Sequence, residues 1–417
     1  MTDPGRPPTY AAPDGPYPVG TREGGTVDTV RPVLRPADAA GRRLPVRVWY
    51  PAEPSGARSR DYAAGDETAV LRAALAATGA PADWAAWLAA VRTYGVEGAP
   101  PAPGRFPTVV FSHGALGWVT QNTPLMEHLA AHGHVVWSVG HPGEAGALRH
   151  LDGELVEHDA HFRETFVAMP GRPGYRDKLT GDVATRFAAT PGFLDEHGMG
   201  PWARRWVDDL RAVIDALAAD AIDGPAGEIT AHGDLGRLGT LGMSFGAAAA
   251  ASTAQQDERV RVAVNLDGGQ WLSDLFDTDV RVPLLHLSSD LGAQFAAMGL
   301  PDVTAIDADE FFFEPRRTAG TRSDVHRICV AGVTHLELTD VVLLPPPDRA
   351  RVLPGGGTVR SQRTVDLVNA FVRGHLGRVL GDPDPGFPGP QLARFPEARR
   401  VDLTAVRQSA PTQEGHR

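Results

Sequence analysis

The chain has 417 residues, with 42% hydrophobic and 22% charged, enough apolar material for one large α/β domain with insertions or two average ones, and too much for wholesale disorder. Against 40 Lys+Arg stand 51 Asp+Glu, a net charge of −11 without a Lys/Arg run of five or more, which excludes nucleic acid as the main partner. The single lysine, Lys178, sits in neither a phosphate-loop nor a Schiff-base setting, and the single cysteine, Cys329, excludes an internal disulfide and a Cys-cluster metal site.

Taken in chain order, residues 1–24 are turn-rich and aperiodic and read as a loose tail, as do the Pro/Gly-rich residues 378–417. Between them, 25–377 reads as one domain. No basic region leads into an apolar stretch at the start, and no apolar run approaches the ~20 residues that span a bilayer, so the reading is cytoplasmic with no stable membrane insertion. Val27 to Leu34 and Leu44 to Tyr50 read as a hairpin. Near-continuous apolar strands follow at Thr108 to Ser112, His134 to Val139, Leu238 to Gly242, Val260 to Leu266, Pro283 to Ser288 and Val325 to Ala331. Helical patterns fall at Thr123 to Ala131, Trp202 to Ala219, Phe245 to Gln255 and Thr364 to Gly374. This alternation predicts a mostly parallel central sheet flanked by helices. Residues 63–98 and 141–200 interrupt the rhythm and are expected to form a cap over the carboxyl edge of the strands, where ligands sit in such sheets.

The sharpest motif is Gly242-Met243-Ser244-Phe245-Gly246, after an apolar strand and before an Ala-rich helix. A tight strand-to-helix turn of this kind lifts a serine oxygen above the sheet, and the flanking glycines make room for it. A serine nucleophile needs a base and an orienting carboxylate on later loops. His335, after the strand ending at Ala331, fits the base; its rival His326 lies inside the strand and reads as structural. Asp267 and Asp290 both end strands, and pattern alone leaves the acid open between them. Two backbone donors are expected to bind the oxyanion: the N–H of Phe245, and that of Ala115 in the turn His113-Gly114-Ala115-Leu116-Gly117.

These turns, with Leu266-Asp267-Gly268, the late His335 and the early Leu44-Pro-Val-Arg-Val-Trp-Tyr-Pro, resemble the platelet-activating-factor acetylhydrolase-like branch of the α/β-hydrolases over roughly residues 15–375. The resemblance implies the α/β-hydrolase fold and metal-independent hydrolysis of ester bonds through an acyl-enzyme, on a short-chain acyl or phospholipid-like small-molecule substrate. It also implies that the acid lies 23 residues past the serine, which is Asp267, with Asp290 as fallback. An acyltransferase or thioesterase could use the same residues, and a non-catalytic binding protein could use the same fold. No cofactor and no metal are expected: His128, His132, His134, His141, His150, His158 and His161 read as a polar cap surface. Phe311, Phe312 and Phe313 read as packing, and Cys329 as a buried small hydrophobe. Oligomeric state is not legible.

Overall fold

Strands that are apolar on both faces need cover on both, and the arrangement of elements supplies it. The computed structural model describes residues 9–32, 35–305, 310–345, 356, 358–381 and 386–411. The central sheet contains β1 (Val19–Asp28), β2 (Arg42–Pro51), β3 (Val96–Glu97), β4 (Phe106–Ser112), β5 (Val135–Val139), β8 (Gly233–Met243), β9 (Val260–Leu266), β10 (Leu284–Ser288), β11 (Val325–Val330) and β12 (Ala398–Arg400). Its order is β12-β11-β10-β9-β8-β4-β5-β2-β1-β3, while β6 (Ala147–Arg149) and β7 (Leu155–Glu157) pair separately. Strands β5, β4, β8, β9, β10 and β11 run parallel; β1, β2 and β12 join antiparallel.

Alternate side chains of β4 feed two cores. Val110 packs with the helices Gly200–Ala218 and Phe245–Gln256, whereas Val109 and Phe111 pack with Thr123–Ala131 and Ser361–Leu380. Among the described residues the helices in chain order are α1 (Asp66–Ala77), α2 (Ala82–Ala89), α3 (Thr123–Ala131), α4 (Ala160–Ala168), α5 (Val183–Glu196), α6 (Gly200–Ala218), α7 (Phe245–Gln256), α8 (Leu291–Ala297), α9 (Ser361–Leu380), α10 (Gly389–Arg394) and α11 (Thr404–Gln408). Among the described residues, no helix is long and apolar enough to cross a membrane.

Both expected tails need correction. The first strand is Val19–Asp28, earlier than the stretch 27–34, whose last two residues lie outside the described ones. Its glycines are close-packing positions rather than turns: a Cβ on Gly20 would stand 2.3 Å from the Tyr50 ring, and one on Gly24 2.7 Å from Asp223 O. At the other end, β12 pairs with β11, and Phe387, Phe395, Leu403 and Val406 are buried. Proline there separates short packed elements. Residues 1–8, 382–385 and 412–417 of the two expected tails lie outside the described residues.

The turn between β8 and α7 is packed against the end of β4 with no room for a side chain. A Cβ on Gly246 would fall 2.2 Å from His113 O and 2.3 Å from Ser112 O, and one on Gly242 2.2 Å from Gly246 O. These are backbone atoms, which do not swing aside. Gly246→Ala is therefore expected to lower the free energy of unfolding by about 2 kcal/mol or more, the upper range of overpacking effects, as read from urea denaturation.

Candidate active site

Ser244 stands where β8 ends and α7 begins, with φ 56° and ψ −122°, a backbone conformation unusual for a side chain larger than hydrogen. Its N–H donates to Leu266 O (2.8 Å), and its carbonyl accepts from the N–H groups of Ala247 and Ala248 (3.0 and 3.1 Å). The turn thus aims the side chain away from the helix. Asp267 ends the neighbouring strand β9, also with positive φ (57°), and its N–H donates to Leu287 O at 3.0 Å. Since β8 and β9 pair Met243 with Leu266, Ser244 and Asp267 are each one step beyond a level pair.

His335 opens the short helical turn His335–Leu338 after β11, which Thr334 and Glu337 close with a reciprocal capping box. Its Nε2 lies 2.9 Å from Ser244 Oγ and its Nδ1 2.7 Å from Asp267 Oδ2. The other Asp267 oxygen accepts from Ser289 N at 2.9 Å. Burial pushes the Asp267 carboxyl up, but the bonds to His335 and Ser289 outweigh it and hold the group below its ordinary value. Asn265 fixes the following turn by bonding both Gly268 N (2.7 Å) and Gly268 O (2.8 Å).

The fallback acid Asp290 is not part of this row. Its Oδ1 accepts from Ala293 N, capping α8, and its Oδ2 accepts from Gly332 N, so the carboxylate clips α8 to the end of β11. His326 is buried inside β11 against His375 and Phe387, a structural position. Cys329 is buried in the same strand. Phe311, Phe312 and Phe313 are buried too, with Phe311 edge-on to Phe187 and Phe312 edge-on to Phe276.

The turn after β4 lies beside the serine: a Cβ on Gly114 would stand 3.4 Å from Ser244 Cβ. Gly114 N donates to Gln121 Oε1 (2.7 Å), and Leu116, at φ 57°, donates its N–H to Glu144 O (2.9 Å). Ala115 is partly exposed between these two anchors. Phe245 is buried, edge-on to Trp206 with centroids 4.9 Å apart.

Above Ser244, Asp267 and His335 is a cavity of about 460 Å3 lined by Phe166, Met169, Tyr175 and Trp271, and by Phe295 and Met298 of α8 and its end. Residues 141–200 contribute to its lining, from Phe166 to Thr180. Residues 63–98 contribute none of it: α1 and α2 pack with Tyr10, Trp118 and Leu344 in a cluster of their own. The segment 291–303 supplies a wall instead, and its short helix carried no clear sequence period.

One constellation escaped sequence reasoning. Ser112 Oγ is 2.8 Å from His141 Nε2, and His141 Nδ1 is 2.8 Å from Asp209 Oδ2, all three fully buried. Asp209 in turn holds Arg42, which also reaches Glu144. Far from forming a polar surface, His134, His141 and His150 are buried. The apolar run around His134 and the helix-phased Asp209 beside Trp206 were the available signals.

No family model matches the chain. Over 284 residues, 66% of this chain and 58% of the other, it is 22% identical to a platelet-activating factor acetylhydrolase of Cavia porcellus, so the match spans just over half of that relative. A ferulic acid esterase from Streptomyces cinnamoneus superposes with a TM-score of 0.68 at 26% identity, covering 95% of this chain and 100% of that one. With a mostly parallel sheet, a serine elbow and these two likenesses, the chain has the α/β-hydrolase fold and is similar to platelet-activating factor acetylhydrolase.

Proposed function

We propose that the chain is a serine-dependent carboxylic ester hydrolase working through an acyl-enzyme. The observation that carries this reading is the continuous row Ser244 Oγ, His335, Asp267, with contacts of 2.9 and 2.7 Å, at the base of a largely apolar cavity. His335 Nε2 takes the Ser244 proton as Oγ attacks the ester carbonyl. Asp267, kept ionised, holds the opposite ring N–H and stabilises the imidazolium. The N–H groups of Phe245 and Ala115 receive the oxyanion, aided by the positive end of α7. Collapse expels the alcohol, which takes the proton from His335. A water deprotonated by the same ring then releases the acid and restores Ser244.

The names of the two similar proteins, an acetylhydrolase and an esterase, support the reaction class. The cavity suits a small ester. We take the substrate to be a short-chain or phospholipid-like ester; the aromatic wall of Phe166, Tyr175 and Trp271 also accommodates the aromatic acyl group that the second name specifies.

A p-nitrophenyl ester series from acetate to palmitate, run beside methyl ferulate, tests this directly. Wild type is expected to turn over and to take one fluorophosphonate label per chain by intact mass, and Ser244→Ala to lose both while keeping its thermal midpoint. Turnover by Ser244→Ala, or an unlabelled but folded wild type, overturns the assignment.

Asp267→Asn is expected to cost about 10⁴ in kcat, because it admits the wrong imidazole tautomer, whereas Asp290→Asn is expected to stay within about tenfold of wild type. Equal losses in the two variants would contradict the assignment of Asp267. The same variant has a pH signature in stability. Because the folded carboxyl titrates below its unfolded value near 3.8, its contribution is complete above that pH and disappears as pH falls through the lower folded value. Urea unfolding should find Asp267→Asn less stable than wild type at pH 7, and the gap should begin to narrow only as pH falls below about 3.8.

A further inference from the structure

Away from the Ser244 cavity, three metal-ligating side chains converge on one point. Helix α3 carries His128 in its last turn and ends on His132. Residues four apart share a helix face, and the two rings lie 4.3 Å apart between centroids. Facing them is Asp14, whose Oδ1 stands 3.8 Å from His128 Nδ1 and 3.4 Å from His132 Nε2. One ligand atom from each residue lies within 4.8 Å of the other two.

The donor atoms are oriented as well as close. His132 Nδ1 lies 2.8 Å from the carbonyl oxygen of His128, a contact that requires the ring hydrogen on Nδ1. With that hydrogen on Nδ1, Nε2 is the atom the ring turns to the Asp14 carboxylate, and a lone pair there and the carboxylate oxygen are two donors that a cation between them would engage together. Donation of the far ring N–H to a carbonyl is how metal-bound histidines are held. In His128 the atom turned to Asp14 is Nδ1, while its Nε2 is buried without a hydrogen-bond partner among the described residues.

The backbone that carries the exposed Asp14 side chain is anchored on either side. Tyr10 Oη donates to Glu127 of α3, and Tyr17 N donates to Ala131 O at 3.1 Å, so the segment around Asp14 is lashed to the helix at both ends. Between them Gly15 lies so close that a Cβ would stand 2.1 Å from Ala131 O. The carbonyl end of α3, where the site lies, carries partial negative charge that favours a cation. Tetrahedral zinc places neighbouring ligands about 3.3 Å apart, close to the 3.4 and 3.8 Å contacts that the two histidines make with Asp14.

We propose that Asp14, His128 and His132 form a site for a zinc-class divalent cation, with water completing the tetrahedron, that staples the N-terminal segment to α3. Two imidazoles and one carboxylate match zinc chemistry; magnesium and calcium demand all-oxygen shells. This replaces the polar-surface reading of His128 and His132. It does not depend on the Ser244 chemistry.

The full chain, stripped with chelator, is titrated with zinc chloride by calorimetry and by thermal unfolding, beside Asp14→Asn, His132→Gln and His128→Gln. One zinc per chain at micromolar affinity is expected, raising the unfolding midpoint by about 3 °C at a hundredfold excess over Kd. Each substitution should weaken binding by about tenfold or more, while p-nitrophenyl acetate turnover stays at the wild-type level. Asp14→Asn leaves both imidazoles and the helix intact, so it separates a built three-ligand site from a bare histidine pair. Wild-type zinc affinity in that variant, or no binding by wild type up to about 1 mM, overturns the proposal.

Discussion

The site depends on one backbone constraint, the left-handed turn at Ser244. Such a conformation costs on the order of 1–3 kcal/mol and persists only where its surroundings leave no alternative. Here Leu266 O takes the serine N–H, the first turn of α7 takes its carbonyl, and three glycines leave the space the turn requires. A Cβ on Gly268 would fall 2.1 Å from Ser244 O, as close as the overlaps at Gly242 and Gly246. The same device recurs one strand along, at Asp267, where Asn265 grips both polar atoms of Gly268. Two strained residues at the ends of adjacent parallel strands, level by register, face a histidine brought in by β11.

The turn after β4 is governed by a different force. It carries few side chains of its own, and its position is inherited from a buried charge cluster through Glu144, whose backbone oxygen accepts from Leu116 N and whose carboxylate meets Arg42. Burial pushes the Glu144 carboxyl up, and Asp209 adds to this; in the same cluster Asp209 is held down to about 2, because Arg42 and His141 outweigh its desolvation. Removing one member of such a cluster leaves an uncompensated buried charge, so the turn is tied to something costly to disturb. The backbone donors proposed for the oxyanion gain rigidity from that attachment.

Much of this was legible in the sequence where the signal was local. Apolar runs marked β4, β8, β9 and β11 because strands buried on both faces cannot alternate, and the glycines around Ser244 marked the elbow because no other residue fits there. The choice between Asp267 and Asp290 was not local: both end strands, and what separates them is that Asp290 spends both oxygens on Ala293 N and Gly332 N. The tails misled for a related reason. Proline and glycine signal the absence of long elements, not the absence of packing, and Phe387, Phe395 and Leu403 found cover through contacts with residues far away in the chain. The wall of the cavity at 291–303 was invisible because a short helix with no buried residue leaves no periodic trace.

Among the described residues the row serine, histidine, aspartate occurs twice, and short contacts alone do not make the two rows equivalent. Ser112, His141 and Asp209 are linked by contacts of 2.8 Å, as tight as those at Ser244. Yet Ser112 is sealed at the end of β4, His141 is stacked on Trp206 with centroids 3.8 Å apart, and Asp209 is engaged by Arg42. Burial pushes the His141 imidazole down against the pull of Asp209, so the ring does not gain a proton easily, and no carbonyl carbon can reach Ser112. At Ser244 the serine is partly exposed, the histidine side chain is 36% exposed, and a cavity opens above them. The buried row fixes the backbone from which the turn at Gly114 departs; the open one has room for a reacting carbonyl. Hydrogen-bonded order is common to both rows, and what differs is the burial, the engagement of Asp209 by Arg42 and the cavity that opens only above Ser244.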